Sequence, residues 1–581
     1  TLREAAEGIV HGRVFNEDFL MAVATIGALA IGFMPGADTE FAEAVFVMLF
    51  FQVGELFEGY AEGRSRDSIA HLVEVRPDTA HVERGGAVET VAPDEVAVGE
   101  TIVVSPGERV PLDGVILSGQ ASLNTVALTG ESMPRDVGEG DEIVSGCINL
   151  SGVLRVRTIR SFGESTVSRI IHLVESANEQ KSRSESFISR FARVYTPIVV
   201  ISAVMLAVVP PLLLGGMAVF AQWLHRALIF LVVSCPCALV ISVPLTFFGG
   251  LGGASRRGIL IKGSNYMDTL ARLHTVVFDK TGTLTHGEFS VVAVHPEETD
   301  ERELLHLAAH VEHYSTHPIA AALREAFPSE ATDGCRVEAV EELSGRGIRA
   351  RVDGRVVCVG NAKMMGDLGV EWHDCHLVGT IIHVAIDGRY AGHIVINDRI
   401  KADSPRAVAD LKALGVDHTV MLTGDREAVA ADGARQTGID EYHAQLLPID
   451  KVSHVERLLA AAPRGATLAF VGDGINDAPV LKRADVGIAM GALGSDAAIE
   501  AADVVLMDDS PAKIATAVRI SRRTIAIAHQ NVWFAIGVKV AILALATVGL
   551  GTMWMAVFAD VGVTVLAVLN AMRALVAGRA R

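Results

Sequence analysis

Seven residues, Asp279-Lys280-Thr281-Gly282-Thr283-Leu284-Thr285, follow an apolar β-like run at 274–278. An aspartate leaving a buried strand just before a Gly/Thr loop suits a carboxylate held beside a phosphate. Such a carboxylate is a nucleophile that takes a phosphoryl group as an acyl phosphate. Phosphoryl transfer then depends mainly on positioning and charge neutralisation, and the residues for both are present. Lys451 can offset phosphate charge. Thr423-Gly424-Asp425 ends a second apolar run with a hydroxyl and a Gly loop. Gly472-Asp473-Gly474-Ile475-Asn476-Asp477 ends a third with carboxylate and amide oxygens, hard ligands suited to Mg²⁺. A lone Asp-Gly is most often a turn. Two such strand ends together with the Asp279 heptapeptide read as one phosphate site.

A second chemistry lies upstream, where Cys235-Pro236-Cys237 interrupts a long apolar segment. In a regular helix two residues turn through about 200°, so the two sulfurs would not face one ion. Pro236 removes a backbone donor, and local unwinding would let both thiolates converge. Thiolates suit Cu⁺ and Zn²⁺ alike. Two further residues favour a divalent ion. Lys539 and Asp560 sit inside apolar stretches, where each costs ~3 kcal/mol at a helix centre. Buried ionisable residues in a membrane are functional by default. Two thiolates with the Asp560 carboxylate make a divalent site, and Lys539 is expected to pair with Asp560 once metal has left. Glu55, in Gly54-Glu55-Leu56-Phe57-Glu58, is read as an entry or release ligand.

The elements that must carry these groups follow from composition. Half of the 581 residues are hydrophobic and the formal net charge is −19, which argues against nucleic acid as a partner. Six scattered cysteines make no disulfide framework. Apolar segments at about 19–34, 41–60, 196–216, 224–250, 530–550 and 553–576 approach the ~20 residues that span a bilayer. Arginines and lysines cluster at one set of their ends, which puts the large inserts in the cytoplasm. The insert at 70–185 alternates apolar and polar residues as a small β domain. The insert at 265–520 alternates strand and helix signals, as a parallel α/β sheet does, with ligand groups at the strands' carboxyl ends. A His-rich domain with its own strands interrupts it.

The heptapeptide at Asp279, Thr423-Gly424-Asp425 and Gly472 to Asp477 together resemble the signature set of P-type ATPases. Cys-Pro-Cys with Lys539 and Asp560 is similar to the zinc/cadmium/lead-exporting subgroup of the heavy-metal group. The resemblance runs nearly end to end. It implies a multi-domain membrane protein: an α-helical transmembrane bundle with a cytoplasmic β actuator domain. It also implies an α/β haloacid-dehalogenase-like phosphorylation domain carrying an inserted α+β nucleotide-binding domain. The expected boundaries are helices at 1–69, actuator 70–185, helices at 186–264, phosphorylation domain 265–290 and 398–520, nucleotide-binding domain 291–397, and helices at 521–581.

The resemblance further implies that Thr129-Gly130-Glu131-Ser132 is the actuator loop, with Glu131 directing water onto the aspartyl phosphate. Asp279, Thr281 and Asp473 would hold Mg²⁺, with Lys280, Thr423, Gly424, Asp425, Lys451, Asn476 and Asp477 completing the catalytic set. Glu312, His317, Gly345 and Gly347 would contact ATP. Cys235, Cys237, Asp560 and Glu55 would meet the transported Zn²⁺, Cd²⁺ or Pb²⁺. The expected setting is a monomer among lipids of a bacterial plasma membrane. His306, His310, His313 and His317 recur at helical spacing and are read as a solvated face plus one ATP-site histidine. Trp372-His373-Asp374-Cys375-His376 is read as surface. Members of the family usually carry two more N-terminal spans and often a Cys-x-x-Cys domain, and residues 1–15 are read as the amphipathic end of a missing span. The competing readings are a Cu⁺/Ag⁺ exporter, a soluble phosphatase on the same sheet, and a metal-sensing membrane receptor with a dead enzyme core.

Overall fold

A computed structural model describes residues 17–31, scattered positions between 33 and 79, and 80–125, 135–168, 183–214, 217–234, 237–297, 299–313, 318–331, 333–343, 346–373, 375, 377–473, 477–491, 500–547 and 550–576. The chain divides into two compact units. The first comprises Thr1–Arg272, Asp503–Asp508 and Thr516–Arg581; the second comprises Leu273–Ala502 and Asp509–Ala515.

The first unit opens with helix α1 (Glu17–Ile31). Its β region runs from β1 (Ala80–Arg84) and β2 (Ala87–Val91) through β3 (Thr101–Val104), β4 (Gly114–Ser118), β5 (Ala121–Asn124), β6 (Arg135–Val137), β7 (Glu142–Ile143) and β8 (Ile148–Asn149) to β9 (Leu154–Thr158). Alternation does here what it should: β9 buries Leu154, Val156 and Thr158 and exposes Arg155 and Arg157. Two sheets result, of order β2-β1-β3-β9-β4-β7 and β6-β5-β8. The turn after Leu112 is fastened by the buried Asp113 carboxylate. It accepts from the Ser145 amide at 2.8 Å and the Thr166 amide at 3.0 Å, as a buried charge requires.

Next come the helices α2 (Arg183–Leu214), α3 (Met217–Val233) and α4 (Cys237–Ser255). Apolar side chains on α2, among them Ile201, Val204, Leu212 and Leu213, face outward, the arrangement of a helix solvated by lipid rather than water. Strand β10 (Ile259–Ile261) and helix α5 (Ser264–Ala271) close this stretch.

The second unit begins at β11 (Leu273–Asp279). The long strand β12 (Thr285–Pro296) leads into an inserted α+β region. That region contains α6 (Glu301–Glu312), α7 (Pro318–Ala326), β13 (Val337–Leu343), β14 (Gly347–Val352), β15 (Arg355–Gly360), α8 (Ala362–Asp367), β16 (Thr380–Ile386) and β17 (Arg389–Ile400). Its antiparallel sheet has the order β12-β17-β16-β15-β14-β13. The amphipathic helix α6 buries Leu304, Leu307 and Val311 against Ile348, Val357 and Ile394 of that sheet.

The chain then returns through α9 (Ser404–Ala413), β18 (His418–Leu422), α10 (Glu427–Thr437), β19 (Glu441–His443), α11 (Pro448–Ala461), β20 (Thr467–Gly472), α12 (Ala478–Arg483) and β21 (Val486–Ala489). Strands β21-β20-β11-β18-β19 form a parallel sheet. The register sets Asp279 opposite Leu422 and Phe278 opposite Val471. Thr423, Asp279 and Asp473 therefore emerge along one edge, and no local pattern could have assured that.

The chain re-enters the first unit at β22 (Val504–Leu506), antiparallel to β10. It ends in α13 (Ala512–Thr547), α14 (Met553–Val557), a π-helical turn Phe558–Gly562, α15 (Val563–Ala571) and α16 (Arg573–Val576). Among the described residues three stretches are long and apolar enough to cross a membrane: Val219–Ser255, Ala512–Ala546 and Trp554–Leu575; Pro197–Leu213 is apolar but shorter. The expected segment at 19–34 corresponds to α1 (Glu17–Ile31), and the one at 41–60 falls largely outside the described residues. Helix α13 starts well before the segment expected at 530–550. Hydropathy marks where apolar surface begins, and the helix continues through Arg522 and Arg523 because nothing there breaks it.

Candidate functional site

In the second unit the Asp279 loop is shaped by its backbone. Thr281 is extended at φ −74°, ψ 131°, and Gly282 takes the left-handed region at φ +71°, which glycine alone enters freely. A Cβ at Gly282 would stand 3.2 Å from an oxygen of Asp473. Asp279 is buried, and Lys451 donates to its Oδ1 at 2.6 Å and to Asp477 Oδ1 at 2.9 Å. Lys280 is buried too and donates to Asp425 at 2.5 Å. Burial above all, with repulsion from Asp477 and Asp473 and against the pull of Lys451, raises the Asp279 carboxyl to about 7. Burial would lower the Lys451 ammonium, but Asp279 and Asp477 outweigh it and hold that cation above its usual range.

Three carboxylates and one ammonium thus converge, an excess of negative charge in a buried place. Asp477 Oδ2 is buried with no hydrogen-bond partner among the described residues, a costly condition for a carboxylate. A hard divalent cation would satisfy both features, so the donor set fits Mg²⁺. Thr423 is buried, and its hydroxyl accepts from the Asp425 amide at 3.1 Å. Gly424 passes beside the Leu446 carbonyl, and Thr281 is exposed at the loop. Asn476 lies outside the described residues.

Two residues of this site were missed. Lys401, almost wholly buried, donates to the Gly282 carbonyl at 3.2 Å and pairs with Asp509 at 2.6 Å. Asp398 accepts from the Thr285 hydroxyl and from the Gly287 amide at 3.1 Å. Both lie at the end of β17, whose apolar run Ile394-Val395-Ile396 gives way to Asn397-Asp398. That is the signal used for the other strands, overlooked because the expected domain boundary, between 397 and 398, cut through this strand. Gly282→Ala should lower phosphoenzyme yield ~10-fold, from left-handed strain of about 1–2 kcal/mol and a displaced Asp473. Gly438→Ala, strained alike at φ +75° but facing open space, should leave the yield unchanged; quenched-flow phosphorylation checks both.

In the inserted region Glu312 is buried at the end of α6. Gly347 opens β14 at φ +147°, where a Cβ would stand 2.1 Å from the Val359 carbonyl and 2.5 Å from Gly360 Cα. Gly347→Ala should therefore destabilise this region by about 1–3 kcal/mol as overpacking does, read as earlier proteolysis on heating. His317 and Gly345 lie outside the described residues. The expected solvated histidine face is corrected: His310 is buried and His306 half-buried, because α7 and the segment after it cover that side; His313 is exposed. Trp372 and His373 are exposed as expected, Cys375 only partly, and Asp374 and His376 are not among the described residues.

In the first unit α3 ends at Val233, Ser234 forms a turn, and α4 begins at Cys237. Cys235, Pro236, the Cys237 side chain and Glu55 lie outside what is described, as do Thr129, Gly130 and Glu131 between the paired strands β5 and β6. Lys539 and Asp560 are described, both buried. Lys539 Nζ donates to Asp560 Oδ1 at 3.0 Å and to the Val233 carbonyl at 3.2 Å. Asp560 sits in the π-helical turn, whose wider spiral often marks functional sites. Its own carbonyl accepts from the Thr564 hydroxyl at 2.7 Å.

A profile of the P-type ATPase actuator domain matches residues 74–175, and one of haloacid dehalogenase-like hydrolases matches 273–485. A zinc-transporting ATPase of Synechocystis sp. is 53% identical over 573 residues, 98% of this chain and 78% of the relative. The chain belongs to the P-type ATPases. A cadmium, zinc and cobalt-transporting ATPase of Bacillus subtilis is 52% identical, covering 98% of this ATPase and 80% of its own length. The crystal structure of a zinc-transporting PIB-type ATPase in its E2·Pi state aligns with 99% of this ATPase and 92% of that chain, at 38% identity and a TM-score of 0.64.

Proposed function

We propose that this P-type ATPase exports Zn²⁺, and with it Cd²⁺ and Pb²⁺, from the cytoplasm of a bacterium across the plasma membrane. The observation that carries the choice of a divalent ion is the Lys539–Asp560 pair, buried among apolar helices. A carboxylate there adds a hard, charged ligand to two thiolates. A built-in ammonium can replace the ion's charge when it leaves. A Cu⁺ site needs neither.

Asp279 attacks the γ-phosphorus of ATP; the new bond is an acyl phosphate and the bond to the leaving ADP oxygen breaks. Lys451 balances charge on the nucleophile and the arriving phosphoryl group. Lys280, held by Asp425, and Lys401, held by Asp509, fix the loop from both sides. Asp279, Thr281 and Asp473 would hold Mg²⁺, which would supply charge neutralisation at the phosphoryl oxygens. Glu131 then directs water onto the aspartyl phosphate, and Glu312, His317, Gly345 and Gly347 line the ATP site. Cys235, Cys237 and Asp560 bind the metal, with Glu55 at its entry or exit. The pump acts as a monomer among membrane lipids, its large domains cytoplasmic.

The test is ATP hydrolysis by the reconstituted chain against a Zn²⁺, Cd²⁺, Pb²⁺ and Cu⁺ series, with Asp279→Asn as the inactive control. Stimulation by the divalent ions is the expected result. Stimulation by Cu⁺ alone would make the chain a Cu⁺/Ag⁺ exporter instead.

A further inference from the structure

Four potential metal ligands converge in the inserted region, and none of them belongs to the phosphate or membrane site. His306 and His310 lie one turn apart on α6 and so share a face. Asp333 and Cys335 lie on the segment between α7 and β13. One ligand atom from each can be chosen so that all four lie within 4.8 Å of one another. His306 Nε2 is 3.1 Å and His310 Nε2 2.9 Å from the same oxygen, Asp333 Oδ2. Cys335 Sγ is 3.2 Å from His306 Nε2. The imidazole rings meet edge to face, 4.8 Å apart.

We propose that His306, His310, Asp333 and Cys335 bind one Zn²⁺ or Cd²⁺ ion in the cytoplasmic nucleotide-binding region, separate from the transported ion. Two imidazoles, a carboxylate and a thiolate are the ligand types that tetrahedral zinc takes. At zinc's bond lengths of about 2.0–2.3 Å, neighbouring ligands of a tetrahedron stand about 3.3–3.8 Å apart. The three contacts of 2.9–3.2 Å are slightly tighter than that, while the four atoms together spread within 4.8 Å, so closing on an ion asks for side-chain shifts in both directions.

Supporting groups are also in place. The remaining nitrogen of His306, Nδ1, faces Glu303 at 3.8 Å, as ligating histidines face a carboxylate. Arg355 in turn holds Glu303 at 2.5 Å. The Cys335 amide donates to Asp333 Oδ1 at 3.2 Å, fixing the Asp-x-Cys turn, and Asp353 faces the sulfur at 3.1 Å. His310 precedes the buried Glu312 by two residues on α6. An ion here would fasten that helix end, and with it the ATP-site carboxylate, to the segment before β13. Cytoplasmic metal could then stiffen the region that binds nucleotide.

The experiment uses the full chain in detergent micelles with Cys235→Ser and Cys237→Ser, which removes the membrane thiolates and so makes the result independent of the transport reading. After chelation, Co²⁺ is titrated and its absorption followed, and Zn²⁺ per chain is counted separately. The expected result is one ion per chain and a thiolate-to-cobalt charge-transfer band. His306→Ala/His310→Ala should lose the ion, weakening it by more than the ~10–100-fold that an outer-shell change costs. Should that variant misfold, Cys335→Ser decides: the charge-transfer band vanishes while Co²⁺ remains bound. Zn²⁺ should raise the midpoint of thermal unfolding in the parent but not in the histidine variant. Either of two results overturns the proposal: no thiolate-bound ion in the parent, or a band that survives Cys335→Ser and is abolished by Cys375→Ser.

Discussion

Lys451→Met should reduce phosphoenzyme formation by at least ~100-fold, the scale on which an essential charge-stabilising donor acts. The argument is the charge count at Asp279. Asp279, Asp477 and Asp473 share one buried edge, and Lys451 touches the first two at 2.6 and 2.9 Å. Removing one member of a buried ion pair strands the other, at about 3–5 kcal/mol. Part of that cost is avoided if the stranded carboxylate takes up a proton. Lys451 pulls the Asp279 carboxyl down from a value that burial and Asp477 have raised. Without the ammonium it must rise further, so at neutral pH the nucleophile is the uncharged acid. The sign follows: residual phosphorylation by Lys451→Met should climb with pH through a window above 7, where the parent's own rise, centred at about 7, is already levelling off. Asp279→Asn/Lys451→Met should regain stability and still form no phosphoenzyme. Rapid-quench phosphorylation and thermal unfolding of the four proteins separate the two effects. Near-normal phosphorylation by Lys451→Met would remove the lysine from this role.

Much of this fold could be read from the sequence because strands of a parallel α/β sheet announce themselves as short apolar runs ending in Asp, Thr or Gly. The runs at 274–278, 418–422 and 467–471 became β11, β18 and β20 with at most one residue's difference at either end. Register was not legible, since it is fixed by packing between strands far apart in the chain. For that reason Lys451 could be named as a counter-charge, yet Lys401 could not. The lysine at 451 is read as a cation able to offset phosphate charge. The one at 401 acquires meaning only when β17 delivers it to the Gly282 carbonyl. The histidines of α6 teach the same lesson differently. Spacing revealed that they share a face but not what that face meets, and Asp333 and Cys335 arrive from beyond another helix. Lys539 and Asp560 were the opposite case. Apolar surroundings leave an ionisable side chain so few acceptable states that its partner could be guessed before any contact was known.

Lys539→Ala should slow metal-stimulated turnover ~10–100-fold while leaving metal bound, and the reason is the pair that Lys539 makes with Asp560. Its ammonium donates to Asp560 at 3.0 Å and to the Val233 carbonyl at 3.2 Å. Val233 is the last residue of α3, and carbonyls in a helix's last turn lack intrahelical donors. The lysine thus neutralises the proposed metal-binding carboxylate and satisfies the helix end beside Cys235 in one move. Deleting it strands a buried anion and a buried acceptor, the first alone worth about 3–5 kcal/mol. Another cation can replace that charge, and the one the pump carries is the transported ion. The variant should therefore hold Zn²⁺ more tightly than the parent, accumulate with metal occluded, and release it slowly. Asp560→Asn makes the opposite expectation: weak binding, because the charged ligand is gone. Lys539→Ala/Asp560→Ala should recover stability without recovering transport. Zn²⁺ retention after rapid gel filtration, set beside ATP hydrolysis in the same proteoliposomes, distinguishes these outcomes. A Lys539→Ala protein that turns over and releases metal as the parent does would mean that this ammonium serves packing alone.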